Sequence, residues 1–330
     1  MTFTRRSFMQ ISGAAVVAAS SGRLGAQTQT QSARTARTSI LEIGYFEAGD
    51  PSGFPVLLLH GFPDDAHAYD GVAPVLARAG YRAISVFLRG FGPTRFLDRN
   101  AVRMAEQAAI GQDVIDLADA LNLTRFAVAG YDWGGRAAAV ASVFRPDRVS
   151  AALLIGGYSI QNTVTRGKPG AAEGARRLWY QWYLNTDIGR DALEQDRRGF
   201  CRLLWREWSP TWTFSDEMFE QTAASFDNPD FVDCVVHSYR HRNFNAAGEP
   251  RFQDAERRLA ARPPITVPTM LVHGADDTLG RVDPAISAGE RQVLPRIIAK
   301  HIVAGAGHFV PHEKPEPVAA ALLELLSASK

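Results

Sequence analysis

Six short apolar runs recur along the chain, and each of them ends in a turn rich in glycine or polar residues. The runs are nearly continuous in Val, Ile, Leu, Ala or Phe, which is typical of strands that are buried on both faces. They are PVLLLHGFP (55–63), YRAISVFLRGFG (81–92), RFAVAGYDWGG (125–135), VSAALLIGG (149–157), PTMLVHGADD (268–277) and KHIVAGAGH (300–308). The pattern predicts a central sheet whose strands are mostly parallel.

Segments with helical patterning alternate with these runs, notably at 70–80, 109–122 and 134–146. Strands that alternate with helices indicate an α/β fold in which helices cover both faces of a doubly wound parallel sheet. The segment 39–50 precedes the first buried run and is predicted to form an antiparallel strand or hairpin.

This alternation stops between residues 158 and 264, where aromatic residues are dense and no buried-strand run occurs. A proline-rich segment at 261–268 then leads back to the sheet. We therefore predict a helical lid over 158–264, inserted into a core domain that consists of 39–157 and 265–330.

The first 38 residues are predicted to be an export signal followed by an unstructured leader. Arg5 and Arg6 precede Phe8 and a short, weakly apolar stretch, as in a twin-arginine signal. The apolar stretch is too short to span a bilayer, so we expect no stable membrane anchor. The precursor would be a substrate of the twin-arginine export machinery, and the mature protein would be periplasmic or secreted.

The composition limits the possible domain organisation, binding partners and metal sites. With 330 residues, 46% of them hydrophobic, the chain is long enough for one large core with a smaller inserted unit. The formal net charge of +1 argues against a nucleic-acid-binding surface. Two cysteines, Cys201 and Cys234, leave both a disulfide and two free thiols open, and they make a structural zinc site improbable. A homodimer is compatible with the sequence.

The first candidate catalytic residue is Asp132 in the turn GYDWGG, where it lies between Gly130 and Gly134 at the end of a predicted strand. A sharp strand-to-helix turn needs small residues at these positions and exposes the central side chain at the edge of the sheet. Serine is the usual central residue of such a turn. An aspartate at a strand-to-helix junction is also a common helix cap, so the rest of the chain must distinguish the two roles.

Three further loops fall at the same predicted sheet edge. HGFP places Phe62 where its backbone N–H, with that of Trp133, could stabilise a developing oxyanion. GADD offers Asp277, with Asp276 as the alternative, and GAGH offers His308. Nucleophile, acid and histidine thus occur in the chain order of an α/β-hydrolase triad.

These four motifs, HGFP, GYDWGG, GADD and GAGHFVPHEKP, together resemble the epoxide hydrolase and haloalkane dehalogenase branch of the α/β-hydrolase fold. The resemblance covers nearly the whole mature chain. It implies an α/β-hydrolase fold with an inserted helical lid, a catalytic triad of Asp132, His308 and Asp277, and no metal or organic cofactor. The sequence departs from many relatives at Tyr131, where they carry histidine.

Two lid segments extend the resemblance. LWYQWYLNTDIGRDALEQ (178–195) is similar to the first lid helix of epoxide hydrolases, with Tyr180 at the ring-opening position and Tyr183 as the alternative. VVHSYRHRNF (235–244) resembles their second tyrosine segment, with Tyr239 as the second acid. A phenol suits an epoxide, because the departing oxygen needs a proton and a phenol is still protonated at neutral pH.

An aspartate nucleophile attacks a saturated carbon directly, because a carboxylate is already ionised at neutral pH. We therefore expect an enzyme that opens an epoxide to a vicinal diol through an ester on Asp132, which water activated by His308 then hydrolyses. A haloalkane dehalogenase, with the indole N–H of Trp133 on the halide, and another hydrolase of this fold are the alternatives. A ligand-binding protein without catalysis is a remote one.

The abundant lid aromatics favour a small apolar substrate alongside water. The predicted pocket is lined by His60, Phe62, Trp133, Trp182 and Tyr183.

Overall fold

The computed structural model describes residues 32–168, 170–280 and 282–329, so most of the predicted export signal lies outside the described residues. Among the described residues a single mixed sheet contains nine strands. They are β1 (Arg34–Arg37), β2 (Leu41–Ala48), β3 (Phe54–Leu59), β4 (Tyr81–Val86), β5 (Arg95–Phe96), β6 (Phe126–Tyr131), β7 (Val149–Ile155), β8 (Thr269–Gly274) and β9 (Ile297–Val303).

The strand order is β1-β2-β4-β3-β6-β7-β8-β9, with β5 paired to β2. All pairs from β4 to β9 are parallel, whereas β2 runs antiparallel to β1, β4 and β5. Residues 56–59 of β3 and 126–130 of β6 are fully buried, as the apolar runs predict for central parallel strands.

The helices in the described residues lie between the strands and after them. They are α1 (Ala73–Arg78), α2 (Gln107–Ala120), α3 (Asp132–Phe144), α4 (Ala172–Arg177), α5 (Trp179–Leu184), α6 (Asp187–Gln195), α7 (Arg197–Trp208), α8 (Asp216–Ala223), α9 (Phe231–Arg242), α10 (Gln253–Ala260), α11 (Ala288–Val293), α12 (Val310–Glu313) and α13 (Pro315–Ala328). Of these, α1 packs on β4, α3 on β6 and β7, and α13 on β7 and β8. None of the described helices is long and apolar enough to cross a membrane.

The predicted fold class is confirmed: the sheet is mostly parallel, helices surround it, and helices α4 to α10 separate β7 from β8. The described residues between those two strands form no strand. The predicted leader is too long at its C-terminal end, because β1 falls within it and pairs with β2. Its alternating polar residues hid this edge strand from the apolar-run pattern, since an edge strand needs little burial. The described residues from 32 to 329 belong to one compact unit.

The connection between β6 and α3 determines where the Asp132 side chain lies. β6 ends at Tyr131 and α3 begins at Asp132, whose φ of +48° lies in the left-handed region. The helix thus begins two residues before the predicted 134–146. A Cβ on Gly134 would lie 2.0 Å from the backbone oxygen of Leu59 in β3, so this position accepts only glycine. The close packing holds α3 against β3 and directs the Asp132 side chain to the carboxyl edge of the sheet.

Replacing Gly134 by alanine should therefore destabilise the fold by about 3 kcal/mol or more, because the new methyl group meets rigid backbone rather than a movable side chain. Urea unfolding followed by circular dichroism measures the change in the free energy of unfolding.

Gly174→Ala is the matched control. Gly174 is an interior residue of α4, and a Cβ there meets no atom within 4 Å. This variant should gain up to about 1 kcal/mol through the helix preference of alanine. Equal stabilities for the two variants would contradict the steric account of the turn.

Candidate active site

The loop after β3 contacts Asp132 through its backbone. The Phe62 N–H donates to Asp132 Oδ1 at 3.0 Å, and a Cβ on Gly61 would lie 2.5 Å from the Asp132 Cβ. The N–H of Trp133, at the second position of α3, belongs to the first turn, whose N–H groups have no acceptor within the helix. Of the two N–H groups predicted to stabilise an oxyanion, that of Phe62 contacts the Asp132 carboxylate, and that of Trp133 belongs to the next residue of the same turn.

His60 supports this loop rather than the pocket. Its Nδ1–H donates to the Gly61 backbone oxygen at 2.8 Å, and its Nε2 accepts from the Leu88 N–H at 3.1 Å. Burial lowers the pKa of His60 to about 4, so the ring is neutral at physiological pH. With both nitrogens bonded to backbone, His60 offers a ligand no polar atom, and our assignment of this residue to the pocket lining is corrected accordingly.

His308 lies between two carboxylates. Its Nδ1 is 3.0 Å from Asp277 Oδ2, and its Nε2 is 3.8 Å from Asp132 Oδ2. Asp276 instead accepts a hydrogen bond from Thr211 Oγ1 at 3.0 Å. The structure therefore brings Asp277, and not its neighbour, to the histidine, in the arrangement of a nucleophile, a base and an acid.

The charges of this cluster depend on one another. Burial alone would lower the pKa of His308, but the negative charges of Asp277 and Asp132 outweigh it and raise the pKa to about 10. Burial likewise opposes ionisation of Asp132, yet His308 and the Phe62 N–H hold the pKa of that carboxyl below its usual value. At neutral pH the resting site thus contains an imidazolium and an ionised Asp132.

Two buried tyrosines from the inserted helices lie near enough to Asp132 for its charge to act on both. Tyr180 in α5 and Tyr239 in α9 have ring centroids 5.3 Å apart, and the Trp133 indole N–H donates to the Tyr239 hydroxyl at 3.3 Å. Burial raises the pKa of Tyr180 to about 12 and holds that of Tyr239 well above its ordinary value, and the nearby Asp132 charge adds to both shifts. Both hydroxyls are therefore protonated at neutral pH and able to donate.

Trp182 and Tyr183 do not join this group, contrary to their predicted place in the pocket. Trp182 is 49% exposed, and its indole N–H donates to the Ala175 backbone oxygen. Tyr183 stacks on Phe200. Helical geometry explains Trp182, because a residue two positions after Tyr180 lies on nearly the opposite side of α5. Tyr183 lies closer to the face of Tyr180, but its ring packs on Phe200 instead.

A second buried network lies behind the nucleophile and was not visible in the sequence. The Tyr131 hydroxyl donates to the carboxylate of Asp64, which is fully buried and also lies 3.0 Å from His312 Nε2. Tyr131 ends β6, Asp64 follows the Phe62 loop, and His312 belongs to α12. The network therefore ties together three segments that carry the site, and only the tertiary fold brings them into contact.

Cys201 and Cys234 are both buried and free, and burial raises the pKa of each thiol, so the structure favours the second of the two alternatives for them. The described residues contain no group of three or more side chains suited to holding a metal ion.

Comparison with known proteins now defines the class. The family model for the alpha/beta hydrolase fold matches residues 55–315, and the chain belongs to this family. Two similar relatives are an epoxide hydrolase from Caballeronia sordidicola, 28% identical over 83% of this chain and 88% of its own length, and epoxide hydrolase B from Mycobacterium tuberculosis, 27% identical over 84% and 92%.

Among solved structures, the crystal structure of a protein from Klebsiella pneumoniae, described provisionally as an epoxide hydrolase, matches with a TM-score of 0.85. It shares 36% sequence identity and covers 89% of this chain and 96% of that chain. A haloalkane dehalogenase from Psychrobacter cryohalolentis is 26% identical over 87% of this chain and 88% of its own length.

The pKa of His308 tests the geometry of the cluster directly. Asp277→Asn should lower it from about 10 by about 1 to 3, because the variant loses the negative charge 3.0 Å from Nδ1. Titration of the imidazole nitrogens by NMR gives the midpoint. Asp276→Asn is the matched control and should change it less, and an equal effect of the two variants would argue against the observed pairing.

Proposed function

We propose that this protein is an epoxide hydrolase that opens an epoxide to a vicinal diol through a covalent ester on Asp132. One observation carries the proposal: two buried, protonated tyrosine hydroxyls accompany a carboxylate nucleophile beside a histidine. The curated relatives that bear the name epoxide hydrolase support it at moderate identity.

In the first step, Asp132 Oδ2 attacks an epoxide carbon, because Oδ1 is held by the Phe62 N–H. The carbon–oxygen bond of the ring breaks as the ester bond forms. The departing oxygen takes a proton from Tyr239 or Tyr180. The Trp133 indole N–H, which donates to the Tyr239 hydroxyl, stabilises the phenolate that results.

Ester formation changes the charge balance around His308. Asp132 loses its negative charge, so one of the two groups that raise the pKa of His308 disappears. His308 can then release its proton through the site to the phenolate and become a neutral base. Ester formation in the first step thereby produces the neutral histidine that the second step requires.

In the second step, His308 Nε2 takes a proton from water, and the water oxygen attacks Cγ of Asp132. The N–H groups of Phe62 and Trp133 stabilise the tetrahedral oxyanion. As the intermediate collapses, the bond from Cγ to the substrate oxygen breaks, and this oxygen takes the proton of the hydroxyl that came from water. The diol is released, and the carboxylate–imidazolium pair is restored. The sum of the two steps is the addition of one water to the epoxide.

The dehalogenase alternative shares the nucleophile and keeps one supporting relative. Halide departure needs N–H donors rather than an acid, and the Trp133 indole N–H is engaged with the Tyr239 hydroxyl. Two phenols at the site favour a leaving group that must be protonated.

The export signal and the domain limits belong to the same proposal. Arg5 and Arg6 ahead of an apolar stretch support twin-arginine export and a periplasmic or secreted location for the mature protein. The helical composition of the region between β7 and β8 supports a lid near 158–264 over a core near 39–157 and 265–330.

Trapping the ester tests the mechanism. His308→Gln should form the ester with styrene oxide but not hydrolyse it, because the variant lacks the base. Intact-protein mass spectrometry should show the mass of one styrene oxide added, located on Asp132 by peptide mapping.

Asp132→Ala is the control and should gain no mass. In heavy-oxygen water, repeated turnover of the wild-type enzyme should label Asp132, whereas a single turnover should give unlabelled diol. Full activity of Asp132→Ala would refute both the epoxide and the dehalogenase mechanisms, and halide release without diol formation would favour the latter.

The double variant Tyr180→Phe/Tyr239→Phe should open the epoxide about 10² to 10⁴ times more slowly, because no proton reaches the departing oxygen. Stopped-flow measurement of ester formation isolates this step. Tyr183→Phe, from the same helix, should stay close to the wild-type rate. Normal ring opening by the double variant would remove the tyrosines from the mechanism.

A further inference from the structure

Arg136 lies beside the proposed nucleophile without an ionic partner. It follows Asp132 by four residues on α3, which places the two side chains one helical turn apart on the same face. The residue is 7% exposed, and its Nε–H donates to the Ser159 backbone oxygen at 3.0 Å. Within the described part of the chain, its guanidinium forms no ion pair with a carboxylate within 4.0 Å.

A second arginine lies close to Arg136 and contacts Tyr239. Arg242 ends α9, and its guanidinium carbon is 4.9 Å from the centroid of the Tyr239 ring. Its Nη2 is buried and has no acceptor among the described residues. Arg242 therefore lies against Tyr239, the tyrosine whose hydroxyl accepts a hydrogen bond from the Trp133 indole N–H.

Two other arginines, the buried Arg89 and the half-buried Arg103, do pair with carboxylates. Arg89 is 2% exposed, and its Nε and Nη2 each lie 2.6 Å from an oxygen of Asp113. Arg103 lies 2.7 Å from Asp230. Since an unpaired buried cation is unfavourable, the buried Arg136 and the half-buried Arg242, whose Nη2 is buried without an acceptor, indicate a missing negative charge beside Asp132.

The electrostatics agree with this geometry. Burial, followed by the positive charge of Arg242, lowers the pKa of Arg136 to about 9, so the two guanidinium groups are close enough to repel each other. Asp132 is the negative charge that counteracts this repulsion. Ester formation removes that charge, and the resting chain then offers the two arginines no replacement.

We propose that the substrate is an epoxide that carries a carboxylate group, bound by Arg136 and Arg242 while the epoxide carbon lies at Asp132. Guanidinium groups bind carboxylates through charge-assisted, often bidentate hydrogen bonds. The aromatic rings of Phe62, Trp133 and Trp208 surround the apolar remainder of the molecule. This assignment rests on the proposed epoxide hydrolase activity, and it changes the predicted small apolar substrate into an amphipathic one.

The surface next to Arg242 carries positive charge, which would attract a carboxylate substrate. A groove lined by Asn243, directly after Arg242, is also lined by Arg166 and Lys168 and by no acidic residue among those described. Exposed cations around a groove raise the local concentration of an anion and speed its association.

The test compares two substrates that differ in the anionic group, 3-phenylglycidate and its neutral amide, 3-phenylglycidamide. In Arg136→Gln and Arg242→Gln, kcat/KM for the acid should fall about 10- to 100-fold, mostly through KM, because a charge-assisted bond is lost. For the amide it should change less than about 3-fold. Arg240→Gln is the matched control, because Arg240 lies on the same helix but pairs with Asp187.

The outcomes separate the substrate class from the reaction. Diol formation from the amide, with no larger effect of either variant on the acid, would overturn the carboxylate assignment and leave the epoxide hydrolase activity intact. An equal loss with both substrates in Arg136→Gln would mean that Arg136 acts only on Asp132, which also overturns it. Failure of the wild-type enzyme to open either epoxide would refute the proposed function itself.

Inhibition of the wild-type enzyme gives a measurement that does not depend on a variant folding. Cinnamate has the skeleton of the acid without the reactive ring, and it should inhibit styrene oxide hydrolysis at least about 10 times more strongly than cinnamamide. Equal inhibition by the two compounds would contradict a carboxylate site.

Discussion

The contact between α3 and β3 at Gly134 is the constraint on which the site depends. A Cβ there would lie 2.0 Å from the Leu59 backbone oxygen, so the helix reaches the sheet only because this residue has no side chain. The same approach forces Asp132 into the left-handed region and brings its carboxylate to the Phe62 N–H. A strained residue with a fixed hydrogen bond is preorganised for attack, because little rearrangement remains to be made.

Electrostatic coupling then links the two proposed chemical steps. His308 lies between Asp277 and Asp132, and both carboxylates raise its pKa. While Asp132 is ionised, His308 is charged and stabilises the nucleophile; once Asp132 is an ester, His308 loses one of its two partners and can accept a proton from water. His308 thereby acts as a cation in the first step and as a base in the second. Its change of protonation follows from ester formation and needs no conformational change.

The inserted helices contribute more than a cover over the sheet. They supply Tyr180, Tyr239 and Arg242, and they also position the histidine: the Ser209 hydroxyl, directly after α7, accepts from the His308 backbone N–H at 2.8 Å and donates to Glu313 at 2.6 Å. The core thus provides the nucleophile and the water-activating pair. The inserted helices provide the two tyrosines that would protonate an epoxide oxygen. They also provide Arg242, one of the two arginines that would bind a carboxylate group of the substrate.

The sequence by itself determined what depends on local pattern. Apolar runs predicted the parallel strands, glycine spacing predicted the turn at Asp132, and the order of the loops predicted His308 at the same sheet edge. What remained depended on side-chain direction and on distant partners. Asp276 and Asp277 are adjacent in the sequence, and only the path of the loop after β8 turns one of them toward the histidine. The apolar pattern likewise carries no sign of an arginine without a counterion, because burial and pairing are properties of the packed molecule.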